Sequence, residues 1–287
     1  MPSNGELAVQ LDGVSKRYFL NPVKPFRLSD MRRPRTLWHR LRPREPFWAL
    51  RDVTMTINRG EIVGIIGANG SGKSTLLRVL AGLSPPTTGS VTIHGRYAAL
   101  LELGSGFHRQ ATGRENAYLN ALFMGLSKRE AKERIPEILE FSGLEQFADQ
   151  PMRTYSAGMF MRLGFSVAIH VQPEIFLIDE ILAVGDAEFQ KKCFDHFDTL
   201  QQRGTTIIIV SHNVDVLKEF AGRVVLLEHG KAVLDGDPVD VTREYIERRK
   251  ESSPEFKQIF RQGLLQRWSA EAVTAQQEDD SEAPAQR

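Results

Sequence analysis

The stretch GANGSGKST, residues 67–75, carries the densest chemistry in this chain of 287 residues. Glycines at 67, 70 and 72 let a main chain curl until successive N–H groups point inward, and Lys73 and Ser74 follow at the spacing G-x-x-x-x-G-K-[ST]. Such a turn, ahead of a helix whose N-terminus is positive, cradles a polyphosphate. Lys73 is suited to neutralise the β and γ phosphates, and the Ser74 hydroxyl to ligate Mg²⁺. The competing reading is a glycine-rich connection with no ligand, and the Lys-Ser pair at this offset argues against it.

A second constellation is IFLIDE, residues 175–180, an apolar run that ends in two carboxylates. Asp179 at the strand end is the expected metal holder, directly or through water. Glu180, one residue beyond, is the expected base that orients and deprotonates the attacking water. Read without the phosphate loop, both carboxylates could instead cap the following helix. A third is YSAGM, residues 155–159, where Ser156, Ala157 and Gly158 open an apolar helix. Ser156 is an N-cap on any reading, and the same N–H groups can receive an anion. His212, in IVSHN after another apolar run, reads in isolation as a satisfied core or turn histidine.

The elements that must hold these residues follow from periodicity. The runs 61–67, 175–179 and 206–211 are continuously apolar, as buried parallel strands are. Val53, Met55 and Ile57 alternate, as in a half-exposed strand, and LAVQLDGVSKRY (7–18) is the first strand. Residues 127–143 read as a helix opened by a capping box, Ser127 to Glu130, kinked near Pro136 and closed by glycine. Residues 224–236 read as a hairpin turning at His229 and Gly230, after which Asp237-Pro238 caps another helix. The class is α/β with antiparallel additions.

Composition bounds the rest. Apolar residues make up 41% of the chain, enough for a large core, and the formal charge of +1 shows no bias toward nucleic acid, which is not an expected partner. Cys193 is the only cysteine, so an internal disulfide is excluded. No run approaches the ~18 apolar residues of a membrane span, and no secretory signal opens the chain. A soluble, cytoplasmic chain is expected.

Taken in order, these motifs resemble those of the ATP-binding cassette ATPases, the motor subunits of ABC transporters, over Leu7 to about Arg249. The resemblance implies an α/β P-loop nucleotide-binding domain over 1–249, with a RecA-like core and a helical subdomain at about 104–172. It implies ATP and Mg²⁺ as ligands, with Gly67, Ala68, Asn69, Gly70, Ser71, Gly72, Lys73, Ser74 and Thr75 binding ATP. Tyr18 matches the aromatic that stacks on adenine, and Asp186, ending LAVGD, matches the D-loop aspartate. Catalysis would fall to Glu180 and His212. YSAGM looks like a variant of the LSGGQ signature, which in the family meets ATP held by a second copy, so a head-to-tail dimer is implied. Met159 stands where most cassettes have glutamine.

ALLELGSGFHRQATGREN, residues 99–116, together with the YSAGM signature, is similar to the polysaccharide-exporting branch: O-antigen, capsule and teichoic-acid exporters. That implies a lipid-linked glycan, a separate membrane permease, and a place on the cytoplasmic face of the membrane. A lipid or drug exporter is the alternative, and a non-transport cassette ATPase a more distant one. The pattern departs from the family where a metal-ligating glutamine belongs. Gln110 lies too far along, and Glu102 is the nearest polar substitute.

Two segments stand apart. Residues 19–48 look like an insertion, rich in Arg and Pro, with Phe26, Trp38 and Trp48 among the basic side chains. Either it lies toward the membrane, where anionic lipid or a glycan pyrophosphate attracts it at ~1 kcal/mol per basic residue, or it is a solvated surface excursion. Residues 250–273 are an expected C-terminal helix, with Phe256, Ile259, Phe260, Leu264 and Trp268 on roughly one face, and 274–287 an expected disordered tail. That stretch is too short for the ~100-residue β-sandwich of glycan-binding relatives, so glycan selection is expected mainly in the permease.

Overall fold

A computed structural model describes residues 6–19, 46–100, 106–179 and 186–252. Glu102, Glu180, most of the 19–48 segment and the helix expected from Ser253 lie outside the described residues. Two units are distinguished, Met1–Val241 and Thr242–Arg287.

Two sheets build the first unit. β1 (Leu7–Phe19), β2 (Pro46–Asn58) and β4 (Thr88–Ile93) form an antiparallel sheet in the order β2-β1-β4. The larger sheet has the order β5-β6-β7-β3-β8-β9. Its strands are β3 (Ile62–Ile66), β5 (Tyr97–Leu100), β6 (Ile175–Asp179), β7 (Thr206–Val210), β8 (Arg223–Glu228) and β9 (Lys231–Gly236). All neighbours in it run parallel except β8 and β9. The continuously apolar runs are the buried central strands: every residue of β3 and β7 is buried, as is β6 up to Asp179. Val53, Met55 and Ile57 are the buried positions of an alternating β2.

The first core joins both sheets to α1 (Lys73–Leu80) through Val9, Leu11, Ile57, Ile65, Leu76 and Leu80 among others. A second core is formed by α2 (Gly113–Phe123), α3 (Lys128–Ser142) and α4 (Ala157–His170), through Ala117, Ile138, Leu139, Leu163 and Val167. The helix expected at 127–143 is α3, with the capping box at Ser127 and Glu130 and a left-handed Gly143 at its end. It continues through Pro136. α2 has a second capping box, Thr112 with Glu115, which the sequence reading did not single out. The hairpin turns where expected: His229 (φ 49°) and Gly230 (φ 80°) both take positive φ, as a two-residue type I′ turn requires. Asp237 Oδ1 accepts from Val239 N at 2.8 Å and caps α7 (Pro238–Ser252). β1 and β2 pair further than expected, as far as Phe19 with Pro46, so both ends of the 19–48 segment are strand.

In the second unit, the part of α7 from Thr242 onward carries a Glu244–Arg248 pair at 2.8 Å, one helical turn apart.

α5 (Ala187–Gln202) packs on α4 through aromatic rings. His196 stacks on His170 with ring centres 6.1 Å apart, and Phe141 of α3 meets both edge-on. Burial, with the nearby His170 and Arg203, pushes His196 down to about 4. A histidine whose folded pKa lies below its unfolded value favours folding above the unfolded value, and that contribution is lost as pH falls toward the folded one. Stability to urea should therefore decline between about pH 6.5 and pH 4, and His196→Phe should flatten that decline. Thr112→Ala and Ser127→Ala should each lower unfolding stability by about 1 kcal/mol in the same measurement at pH 7.

Candidate functional site

The site is made by strand register. In the parallel ladder Val210 of β7 pairs with Ile65 of β3 on one side and with Asp179 of β6 on the other. The three strands therefore end level, and Gly67, Asp179 and His212 leave the same carboxyl edge of the sheet, where open α/β sheets bind ligands. His212 is exposed and immediately precedes Asn213, which caps α6 (Val214–Phe220).

A cavity of about 470 Å³ opens at that edge, lined by Asn69, Gly70, Gly72, Lys73, Ser74, Thr75 and Asp179, with Phe47 and Ala49 of β2 as a further wall. The phosphate-loop residues and Asp179, far apart in sequence, thus share one hollow. α1 begins there without a side-chain cap and without an acidic residue in its first turn, whereas α2, α3 and α4 are each capped by a side chain. An uncapped helix start leaves its first N–H groups for a ligand. Gly72, just ahead of it, has φ 111°, and a methyl there would stand 2.5 Å from the Ala49 carbonyl oxygen.

Lys73 is only 7% exposed, and its Nζ donates to the Gly67 and Ala68 carbonyls at 2.8 and 3.1 Å. The loop's own carbonyls thereby hold a buried cation inside the turn. The Ser71 hydroxyl is buried and has no hydrogen-bond partner, an unsatisfied polar atom in the turn expected to receive phosphate. These features fit a polyphosphate, and the Ser74 hydroxyl and Asp179 carboxylate are hard oxygen donors of the kind Mg²⁺ takes.

Tyr18, Ser156, Ala157, Gly158 and Asp186, also expected at the site, stand elsewhere. Tyr18 lies directly across the ladder from Phe47 but does not line the cavity. Ser156, Ala157 and Gly158 line no part of it either. Ser156 caps α4, accepting from Met159 N at 3.2 Å. Asp186 caps α5 through Phe189 N at 2.9 Å, and Arg162 of α4 approaches it at 3.9 Å.

Sequence reasoning missed the brace beneath the signature. Asn116 of α2 accepts from His108 N at 2.7 Å and donates to His108 O at 3.0 Å. The same loop pairs with the chain before Ser156, Arg153 N donating to Arg109 O and Met152 N to Ala111 O, both at 2.9 Å. Phe107 meets Phe160 edge-on at 5.0 Å. The sequence sign of this brace was a pair of asparagines, Asn116 and Asn120, one turn apart beside Ala117 and Ala121 on the buried helix face.

A sequence profile described as ABC transporter matches residues 50–183. The O-antigen export system ATP-binding protein RfbB of Klebsiella pneumoniae is 44% identical over 225 residues, covering 78% of this chain and 91% of that protein. The chain belongs to the ABC transporter family. As an ABC ATP-binding cassette it is an ATPase. The teichoic acids export ATP-binding protein TagH of Bacillus anthracis is 40% identical over 90% of this chain, which spans 48% of that longer protein. The dimeric post-hydrolysis structure of the ATP-binding cassette MJ0796, bound to ADP and Pi, matches with a TM-score of 0.63 at 25% identity. It covers 80% of this chain and 98% of its own. The α/β class, the RecA-like core and the antiparallel additions expected from the sequence are those of this cassette fold.

Gly72→Ala places a methyl against the Ala49 carbonyl in a backbone region that alanine avoids. It should lower unfolding stability by more than about 1 kcal/mol and weaken ATP binding, read by denaturant titration and calorimetry.

Proposed function

We propose that this cassette is the ATP-hydrolysing subunit of a transporter that exports a lipid-linked polysaccharide across the cytoplasmic membrane. The observation that carries the substrate class is its 44% and 40% identity to proteins named for O-antigen and teichoic acid export. The cavity geometry supports the engine.

On this reading the N–H groups from Gly67 to Thr75 take the β and γ phosphates, and the buried Lys73 ammonium neutralises them. Ser74 and Asp179 hold Mg²⁺, which would offset the charge that develops on the phosphoryl group. Glu180 takes a proton from water as its oxygen bonds to the γ phosphorus and the bond to the β–γ bridging oxygen breaks. ADP and inorganic phosphate are the products. His212 contacts the γ-phosphate, and Asp186 contributes at the dimer contact. Ser156, Ala157 and Gly158 serve the ATP of a second copy in a head-to-tail dimer. Their absence from their own chain's cavity fits that role, and the dimeric MJ0796 cassette is a precedent.

Among the described residues no helix is long and apolar enough to cross a membrane. On the same reading the glycan passes through a separate permease, with the cassette docked peripherally on the cytoplasmic face, as the relatives named for export systems suggest. Residues 19–48 are the part assigned to lipid or glycan pyrophosphate.

Glu180→Gln should drop ATP turnover at least a hundredfold and leave ATP-bound dimers in size-exclusion chromatography; undiminished turnover would remove Glu180 as the base. In vesicles holding cassette and permease, replacing Arg32, Arg33 and Arg35 with Gln should reduce glycan export several-fold while basal ATPase stays near the parent rate. An unchanged export rate refutes the basic segment's role.

A further inference from the structure

The exposed start of α4 is strapped between two aromatic anchors. Ser156, Ala157 and Gly158 face solvent, whereas Tyr155 and Phe160, which bracket this turn, are partly buried against the helical core. Phe160 is seated by the Phe107 ring, 5.0 Å away. Tyr155 reaches further. Its hydroxyl donates to the Phe147 carbonyl at 2.7 Å, and burial, with Asp149 nearby, raises its pKa, so the donated proton stays in place. The hydroxyl lies where a side chain on Gly113, the first residue of α2, would have to go, and Tyr155 Cζ would stand 2.9 Å from that methyl. Gly113 does not take a positive φ, so room for the tyrosine is what its missing side chain provides. The seat itself is fixed by main-chain bonds, Gly113 N to Gln150 O at 3.2 Å and Arg114 N to Ala148 O at 2.8 Å. Gly158 is the opposite case: a methyl there would meet only Ser156 Oγ, at 3.9 Å, so nothing within the chain asks for glycine at that position.

We propose that Tyr155, with its hydroxyl seated over Gly113, is a positioning residue that sets the turn of Ser156, Ala157 and Gly158 for the ATP of a second copy. This role rests on the head-to-tail dimer proposed above. A turn that must offer N–H groups to an anion held by another molecule gains from being fixed beforehand, because ordering it on contact would cost affinity. Tyr155 is held at both ends: its N–H donates to Met152 O at 3.1 Å, and its side-chain tip is tied to Phe147. Little freedom is left to the residue that follows. A leucine, which opens the LSGGQ pattern, has no hydroxyl and could not make the bond to Phe147. Tyr155 lines no part of its own chain's cavity, so its effect falls on the dimer and not on ATP binding by a single copy.

The test uses the full-length chain carrying Glu180→Gln, with Mg²⁺ and ATP. Tyr155→Phe removes only the hydroxyl, and Gly113→Ala places a methyl where that hydroxyl sits. Each dimer loses the contact twice, so either change should raise the protein concentration for half-dimerisation about tenfold in analytical ultracentrifugation. The affinity of the cavity for ATP, read by calorimetry below the dimer concentration, should stay within about twofold of the parent. Combining the two changes should cost no more than either alone, since both act through one contact. With Glu180 restored, turnover should fall at limiting protein and recover at high protein, with KM for ATP unchanged. Dimerisation of Tyr155→Phe at the parent concentration, additive losses in the double variant, or an ATP affinity that falls in step with the dimer would each overturn the positioning role. If the Glu180→Gln parent itself forms no ATP dimer, the head-to-tail reading fails and this role fails with it.

Discussion

The site depends on one close approach of backbone to backbone. The Ala49 carbonyl lies where a side chain on Gly72 or on Gly230 would have to go. Three segments from distant parts of the chain converge on that atom: the phosphate loop, a strand of the antiparallel sheet, and the turn of the β8–β9 hairpin. Only residues without a Cβ allow the convergence, and both glycines also take a positive φ that other residues avoid. The small sheet is thereby fastened to the larger one at the phosphate loop itself. The hydrophobic core between the sheets fixes their separation, but this contact fixes which part of β2 faces the ligand.

The second dependence is on parallel register. β3, β7 and β6 are buried on both faces, and their uninterrupted apolar runs leave no alternation to set a register by themselves. The packing of helices on either side and the ladder hydrogen bonds do so, and they bring Ile65, Val210 and Asp179 into one row. The phosphate loop, the Asp179 carboxylate and His212 then emerge together. A shift of one residue in β6 would carry Asp179 about 3.3 Å from its level and turn it to the other face of the sheet.

The helical part obeys a different rule. Its core is held by α2, α3 and α4, and the helix that begins at Ser156 is braced through Asn116, Phe107 and the paired segments 109–111 and 152–153. A buried asparagine with its hydrogen bonds satisfied fixes loop geometry in a way that an apolar residue of the same size does not. Arg162 and Asp186 add a link from this helix to the start of α5, long enough at 3.9 Å to be modest in strength.

What the sequence determined by itself was local. Glycine spacing and Lys73-Ser74 declared the phosphate loop; Ser127 with Glu130, and His229-Gly230, declared a helix start and a hairpin turn, because caps and tight turns are decided by a few neighbouring residues. The apolar runs declared the central strands for the same reason. What only the tertiary structure decided was which distant residues meet. Phe47 read as the end of a basic insertion, because nothing in PFWAL says that β2 begins at Pro46 and leans on Gly72 and Gly230. Asn116 was not singled out at all, because its partners at His108 are reached only after the loop folds back. Tyr18 was legible as an aromatic at a strand end, but its neighbour took the cavity wall, since wall position depends on cross-strand pairing and close packing between segments. Those interactions join residues far apart in the chain, and no local pattern records them.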